Sequence, residues 1–215
     1  MTMEARSLTF AYPKTGFRLE GISFAVGHGE SVAVTGRNGS GKTTLARLLC
    51  GLLKPQGGAV LFDGEDAANW TLAQRGRRIG CLFQEPSRQL FAPTVLEELT
   101  FTQELAGVSA EEAQARAMEL LDRFELTHLR EHGTRTLSRG EQQRLAICAL
   151  LLAKPRALVL DEPTTGLDAR RKAILAEALR ECLRDGVSML LISHDAAFAR
   201  ANAARALRME ELCQC

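Results

Sequence analysis

Hydrophobic positions along this chain follow two different periods. Through most of the first third, runs that alternate apolar and polar residues, or stay apolar over four or five positions as in SVAVT from Ser31, carry the signature of β-strands. One helix interrupts them, from Lys42 to about Leu52, and Pro55 with the paired Gly57 and Gly58 stops it and forces a turn. Between about Thr94 and Arg135 the period becomes helical. There SAEEAQARAMELLDRFEL places a capping pair, Ser109 and Glu112, ahead of an apolar stripe. Strand and helix then alternate: LVLDE, a helix over about Ala169 to Arg184, SMLLIS, a helix after Asp195 and a short element near Ala206. Alternation of this kind predicts an α/β chain with a largely parallel sheet covered by helices, here carrying an inserted helical lobe. No internal repeat, low-complexity tract or long linker divides it.

Composition narrows the function classes. With 215 residues, 46% of them hydrophobic, the chain has ample material for a sizeable core. A formal net charge of +1 leaves no electrostatic footprint for nucleic acid, so none is expected as a partner. MTMEARSLTF at the start has no apolar run of signal-peptide length, and the longest uncharged apolar stretch, Leu145 to Ala153, is too short to cross a bilayer. The expectation is a chain that is neither secreted nor membrane-spanning. Six cysteines, Cys50, Cys81, Cys148, Cys182, Cys213 and Cys215, are scattered, several of them inside apolar patterns; reduced core thiols are expected rather than a disulfide framework. The terminal CQC has soft-metal character, but no further ligands accompany it.

Two separated segments bring in the chemistry. GRNGSGKTT, Gly36 to Thr44, follows the strand-like SVAVT and fits the phosphate-loop pattern of Gly36, four free positions, Gly41, Lys42 and Thr43. Glycines let the backbone turn tightly with its N–H groups aimed inward, and the helix opening at Lys42 points its positive end at an anion. Lys42 then reaches the outer phosphates of a nucleoside triphosphate and Thr43 offers its hydroxyl to Mg²⁺. ALVLDEP, Ala157 to Pro163, reads as a buried strand whose end presents Asp161 and Glu162 where open α/β sheets bind ligands. One carboxylate can hold the metal and its neighbour can take a proton from water. Other candidates carry simpler readings when taken alone. Ser138 and Glu141 form an S-x-x-E capping box, which is a helix start and also an anion site beside Gly140. His194 is an ordinary loop histidine, and Tyr12, before Pro13, is a turn residue.

The order of the motifs resembles the ATP-binding-cassette (ABC) ATPases. LSRGEQQR (Leu137 to Arg144), TTGLD ending at Asp168, ISHD containing His194, FQEP with Gln84 and FAYP with Tyr12 join the two segments above, and the resemblance covers essentially the whole chain. It implies an ABC-ATPase fold over residues 1–215: a RecA-like phosphate-loop core, an N-terminal antiparallel β region and an inserted α-helical subdomain over about 94–150. It implies nucleotide contacts at Tyr12, Gly36, Asn38, Gly39, Ser40, Gly41, Lys42, Thr43, Thr44, Ser138, Gly140 and Asp168. Catalytic roles fall to Glu162, His194 and Gln84, and Mg²⁺ contacts to Thr43, Gln84 and Asp161, with ATP as the nucleotide. In the family, Ser138 and Gly140 would serve ATP held by a second ABC ATPase subunit. The usual LSGGQ is altered, Arg139 standing for the first glycine and Glu141 for the glutamine. FQEPSRQLFAPTVLEELTF, Phe83 to Phe101, is similar to energy-coupling-factor (ECF) transporter ATPases, although Glu98 stands where those proteins usually carry aspartate. That resemblance implies the ATPase of a vitamin or transition-metal importer at the cytoplasmic face of the membrane, partnered by T- and S-components. Leu90, Phe91, Ala92 and Pro93, an apolar cluster between Arg88 and Thr94, suit either a groove that docks a short helix of a membrane partner or packing within the helical lobe. Soluble ABC ATPases acting on DNA or ribosomes and exporter ATPases are the alternatives.

Overall fold

In chain order the elements are β1 (Met3–Ala11), β2 (Arg18–Val26), β3 (Ser31–Thr35), α1 (Lys42–Leu49), β4 (Gly57–Phe62), β5 (Glu65–Asp66), α2 (Leu72–Arg78), β6 (Ile79–Leu82), α3 (Val95–Leu105), α4 (Ala110–Arg123), α5 (Arg139–Leu152), β7 (Ala157–Asp161), α6 (Ala169–Arg184), β8 (Ser188–Ile192), α7 (Ala196–Asn202), β9 (Arg205–Arg208) and α8 (Met209–Leu212). The computed structural model describes residues 1–13 and 16–212, so the CQC cysteines Cys213 and Cys215 lie outside the described residues. The chain divides into two compact units, 1–81 with 155–162 and 179–215, and 82–154 with 163–178.

The first unit contains two sheets. One has the order β2-β1-β4-β5 and is antiparallel. It supplies the antiparallel β region expected from the sequence, and β1 and β2 show the alternation of buried and exposed positions that a sheet with one covered face requires. The other has the order β6-β7-β8-β3-β9, in which β3 pairs parallel with β8 and β9, and β7 pairs parallel with β8. All five residues of β7 and of β8 are buried, as a strand covered on both faces demands. Register decides the site. Ile192 pairs with Val34 on one side and with Asp161 on the other, so β3, β7 and β8 end together at their carboxyl ends. The loops after them are therefore neighbours.

The second unit is helical. Leu99 of α3, Ala113, Ala117 and Leu121 of α4, and Leu145 and Cys148 of α5 are fully buried. Two helices open on complete capping boxes, Thr94 with Glu97 and Ser138 with Glu141. Ser109 caps α4 through the Glu112 N–H as expected. This unit begins before the 94–150 segment and takes in 163–178 as well.

Just past the first third, α2, which the sequence reading did not place, forms on a Thr71–Gln74 capping box. One sequence expectation needs correction. The cysteines are not all reduced: Cys50, the residue capping the end of α1, and Cys81 in β6 are joined as a disulfide. Their Cα atoms are 6.5 Å apart, within bridging range, whereas 31 positions separate them in sequence. Cys148 does behave as a core thiol, buried and with its pKa pushed up by desolvation.

Candidate nucleotide site

β3 delivers the chain into the loop Gly36–Gly41, which runs directly into α1. Gly41 has φ +100°, and a Cβ there would lie 2.6 Å from Leu19 Cδ2 and 2.7 Å from Phe17 Cζ. The backbone angle favours glycine, and a Cβ would also force the Leu19 and Phe17 side chains to shift. Lys42 is buried, and its ammonium donates to the carbonyls of Gly36 at 2.9 Å and Arg37 at 3.0 Å. The cation is thus folded back across the mouth of the loop. Asn38 and Gly39 are exposed at the loop's crest, Ser40 donates its N–H to Arg37 O at 3.1 Å, and Thr44 is buried in the first turn of α1. Glu210 of α8 accepts the Arg37 N–H at 3.0 Å, a bond across 173 positions that no local pattern announces. That N–H holds the Glu210 carboxyl below its ordinary pKa.

At the end of β7, Asp161 is 2% exposed and accepts a hydrogen bond from the Thr43 hydroxyl. Burial raises its pKa, while Thr43 and the Lys42 charge act in the opposite direction. Its second oxygen, Oδ2, is buried with no hydrogen-bond partner. Such an orphan is costly unless a ligand completes it. A carboxylate oxygen beside a threonine hydroxyl is the hard-oxygen set that Mg²⁺ takes, so the residues fit that ion. Among the described residues no three His, Cys, Asp or Glu side chains form a metal cluster by themselves. A cation here would complete its shell with water and phosphate oxygens.

Glu162 follows with φ +56°, an uncommon angle for a residue with a side chain. Its N–H donates to Ile192 O at 2.8 Å, tying the turn to the end of β8. The carboxylate accepts the His194 N–H at 2.9 and 3.1 Å, and His194 Nε2 stands 3.6 Å from Glu162 Oε1. Burial, more than any neighbour, raises the Glu162 pKa, and the His194 N–H opposes the shift. The His194 ring itself is exposed. Lys42, Thr43, Asp161, Glu162 and His194 are therefore gathered at one end of the parallel sheet. Tyr12 lies just past β1, its ring edge-on to Phe10 at 4.9 Å and tilted against Phe17 at 6.2 Å. Phe17, absent from the sequence candidates, links it to the Gly41 turn.

The second unit carries the remaining candidates. Gln84 is exposed in the turn after β6, where the Gln89 side chain accepts the Phe83 N–H at 2.9 Å. Ser138 caps α5: its N–H and hydroxyl both donate to Glu141 Oε2 at 2.7 Å, and these bonds lower the Glu141 pKa. The glutamate that departs from LSGGQ thus completes a cap. Gly140 meets Gly166 of TTGLD so closely that a Cβ would stand 2.7 Å from the Gly166 carbonyl oxygen. Asp168 starts α6 by accepting the Arg171 N–H at 2.9 Å, and pairs with the Arg171 guanidinium at 3.1 Å. In the segment Leu90 to Pro93, Leu90 and Ala92 are buried, whereas Phe91 is 58% exposed and stands edge-on to Phe101 at 5.3 Å. Glu98, 3% exposed, accepts the N–H groups of Phe91 at 2.9 Å and Ala92 at 2.7 Å, and the Thr134 hydroxyl donates to Ala92 O at 2.7 Å. Buried neighbours thus fix the segment while Phe91 faces outward.

Known proteins share this arrangement. The ABC transporter family model matches residues 19–165. The energy-coupling factor transporter ATP-binding protein EcfA of Methanothermobacter thermautotrophicus is 40% identical over 195 residues, covering 90% of this chain and 63% of that protein. Other curated relatives are longer still, the chain spanning 34% of one from Caldanaerobacter subterraneus. Among solved structures, cbiO1 from Clostridium perfringens, described as part of the ABC transporter complex cbiONQ, superposes with TM-score 0.80 at 30% identity over 96% of this chain and 83% of that one. The ATP-binding cassette MJ0796, solved as a dimer in a post-hydrolysis state with ADP and Pi, gives TM-score 0.85 at 27% identity over 96% and 93%.

Proposed function

The chain belongs to the ABC transporter family, and from that premise we propose that it is the ATP-hydrolysing subunit of an ECF-type importer taking up a vitamin or a transition-metal ion. The observation that carries the ATPase reading is the end of β7: a buried Asp161 oxygen without a partner, bonded through its other side to the Thr43 hydroxyl, next to a Glu162 whose burial raises its affinity for a proton. Thr43 and Asp161 would hold Mg²⁺, which when bound would offset phosphate charge. Lys42 and the loop N–H groups would hold the β- and γ-phosphates of ATP, with Tyr12 against the adenine. Glu162 would receive a proton from the attacking water while His194 fixes the carboxylate from its backbone and faces the terminal phosphate. Gln84 and Asp168 are kept as candidate contacts on the resemblance, and Ser138 and Gly140 as the contribution to ATP held by a second ABC subunit.

The importer reading is supported by the likeness to EcfA and to cbiO1. It is also supported by an outward Phe91 on a segment pinned by Glu98, a rigid apolar knob suited to a short helix of a membrane T-component, with an S-component capturing the substrate. No described helix is long and apolar enough to cross a membrane, so in this reading the subunit binds the cytoplasmic face through those partners. Glu162→Gln tests the chemistry. It keeps the shape and an oxygen for the His194 N–H but no longer accepts a proton at neutral pH, so ATP binding is expected to persist while turnover falls about 10²- to 10⁴-fold. Turnover within a factor of two of the unmodified protein would remove Glu162 from the role.

A further inference from the structure

Cys50 and Cys81 stand apart from every residue assigned above, yet each lies at a sensitive place in the chain. Cys50 ends α1, the helix that starts at the phosphate loop. Cys81 lies in β6, three positions before Gln84 and at the last residue before the chain passes from the first compact unit into the second. Their Cα atoms are 6.5 Å apart and the sulfurs are joined. Cys81 is partly exposed, so a small reagent can reach the pair. The Arg75 guanidinium occupies the space a side chain on Gly51 would take, which puts a fixed cation one residue from Cys50.

We propose that Cys50 and Cys81 are a reversible redox modification site whose disulfide form slows ATP turnover. In the bridging reaction the Cys81 thiolate attacks one sulfur of a low-molecular-weight disulfide of the glutathione class, forming a mixed disulfide and expelling one thiolate. Cys50, losing its proton to solvent, then attacks the Cys81 sulfur; the Cys50–Cys81 bond forms and the second small thiolate leaves. Two protein thiols are oxidised and one disulfide is reduced to two thiols, which take up the two protons. A dithiol reverses the sequence.

The consequence follows from where the bond sits. It ties the end of α1 farthest from the phosphate loop, so the contacts of Gly36 to Thr43 are left as they are and ATP binds as before. It fastens β6 three positions before Gln84, so the exposed turn that carries this candidate catalytic residue is held at its root and has less freedom to adjust to bound nucleotide. This effect rests on the ATPase reading proposed above; the bridge itself does not.

The test uses the full chain with Cys182, Cys213 and Cys215 changed to serine, leaving only buried Cys148 beside the pair. After treatment with oxidised glutathione and digestion without reductant, mass spectrometry should find a peptide linking Cys50 to Cys81 that dithiothreitol releases. The bridged protein should melt at a higher temperature than the reduced one. Its kcat for ATP should be about 10²-fold lower with KM unchanged, the smaller end of what a displaced catalytic group costs, and reductant should restore it. Cys81→Ser and Cys50→Ala should each hydrolyse ATP at the reduced rate and ignore the oxidant. Absence of the linked peptide overturns the site, and equal kcat in the two redox forms overturns the brake. A linked peptide in a protein that hydrolyses no ATP even when reduced overturns the ATPase reading and the brake together, while the site stands.

Discussion

Arg144 closes the LSRGEQQR motif, and replacing it with leucine should destabilise the helical unit well beyond a surface change. The side chain is 4% exposed and donates from Nη1 to Phe124 O at 2.6 Å and Glu125 O at 3.1 Å, and from Nε to Gly140 O at 3.3 Å. Phe124 and Glu125 lie just past the last residue of α4, where carbonyls have no partner within the helix. The bond to Phe124 O is buried and charge-assisted, worth about 1.5–3 kcal/mol, and removing the donor leaves a buried acceptor at about 1–3 kcal/mol more. The two longer bonds are part-buried and water can replace them, so they add little. Against this stands relief: burial and the nearby Arg171 charge both disfavour the guanidinium and lower its pKa. The net expectation for Arg144→Leu is a loss of about 3 kcal/mol. For a chain of this size that is a fall of about 6–12 °C in melting temperature. Arg144→Lys keeps one charged donor and should lose about half as much. Urea unfolding followed by circular dichroism measures both. A loss under about 1 kcal/mol for the leucine variant would refute the claim that these carbonyls depend on Arg144.

Asp161→Asn should stabilise the metal-free protein at pH 8 while abolishing Mg²⁺-dependent hydrolysis. Because burial raises the Asp161 pKa, its charged form costs stability at high pH and its protonated form does not, so the variant's advantage should shrink as pH falls through the raised pKa toward 3.8; an advantage constant with pH would contradict the sign. Gly140→Ala should cost stability and ATPase activity together, since a Cβ would stand 2.7 Å from the Gly166 carbonyl oxygen. A variant with unchanged melting temperature would show that the backbone yields easily there. Phe91→Ser should leave folding and the isolated subunit's ATPase intact, because the ring is more than half exposed, yet release the subunit from its membrane complex and abolish uptake. Copurification of an intact complex with the serine variant would sink the docking role.

What could be read from the sequence was local. The phosphate loop is contiguous and its glycines impose their angles on their own neighbours, so Gly36 to Thr44 could be recognised from spelling and context. The strand–helix alternation gave the parallel sheet because each period is set within a few residues. The capping pairs at Ser109 and Ser138 are also four-residue patterns, and Glu141, one of the two departures from LSGGQ, explains itself once it binds Ser138. Illegible were the contacts that the topology makes. Glu210 reaches Arg37 because β9 runs beside β3, Phe17 presses on Gly41 because β2 passes the loop, and Cys50 meets Cys81 across 31 positions. α2 escaped because it is short and none of its residues is buried, so no apolar stripe marked it.

The same contrast separates the residues that serve stability from those that serve chemistry. Glu141 and Arg144 follow the rules of helix ends, Glu141 by accepting the Ser138 hydroxyl at the start of α5 and Arg144 by donating to the Phe124 carbonyl past the end of α4. The end of β7 breaks several within two residues: a buried carboxylate with an unanswered oxygen, a second buried carboxylate beside it, and a left-handed angle at Glu162. None of these improves packing, and each is costly in the free protein. In the reading proposed above, a divalent cation arriving with phosphate would answer Asp161 and offset its charge beside Glu162, relieving the two electrostatic costs though not the backbone angle. A strand end that is unfavourable alone and complete only with metal and nucleotide should therefore gain more stability from Mg²⁺ and ATP together than from either added singly.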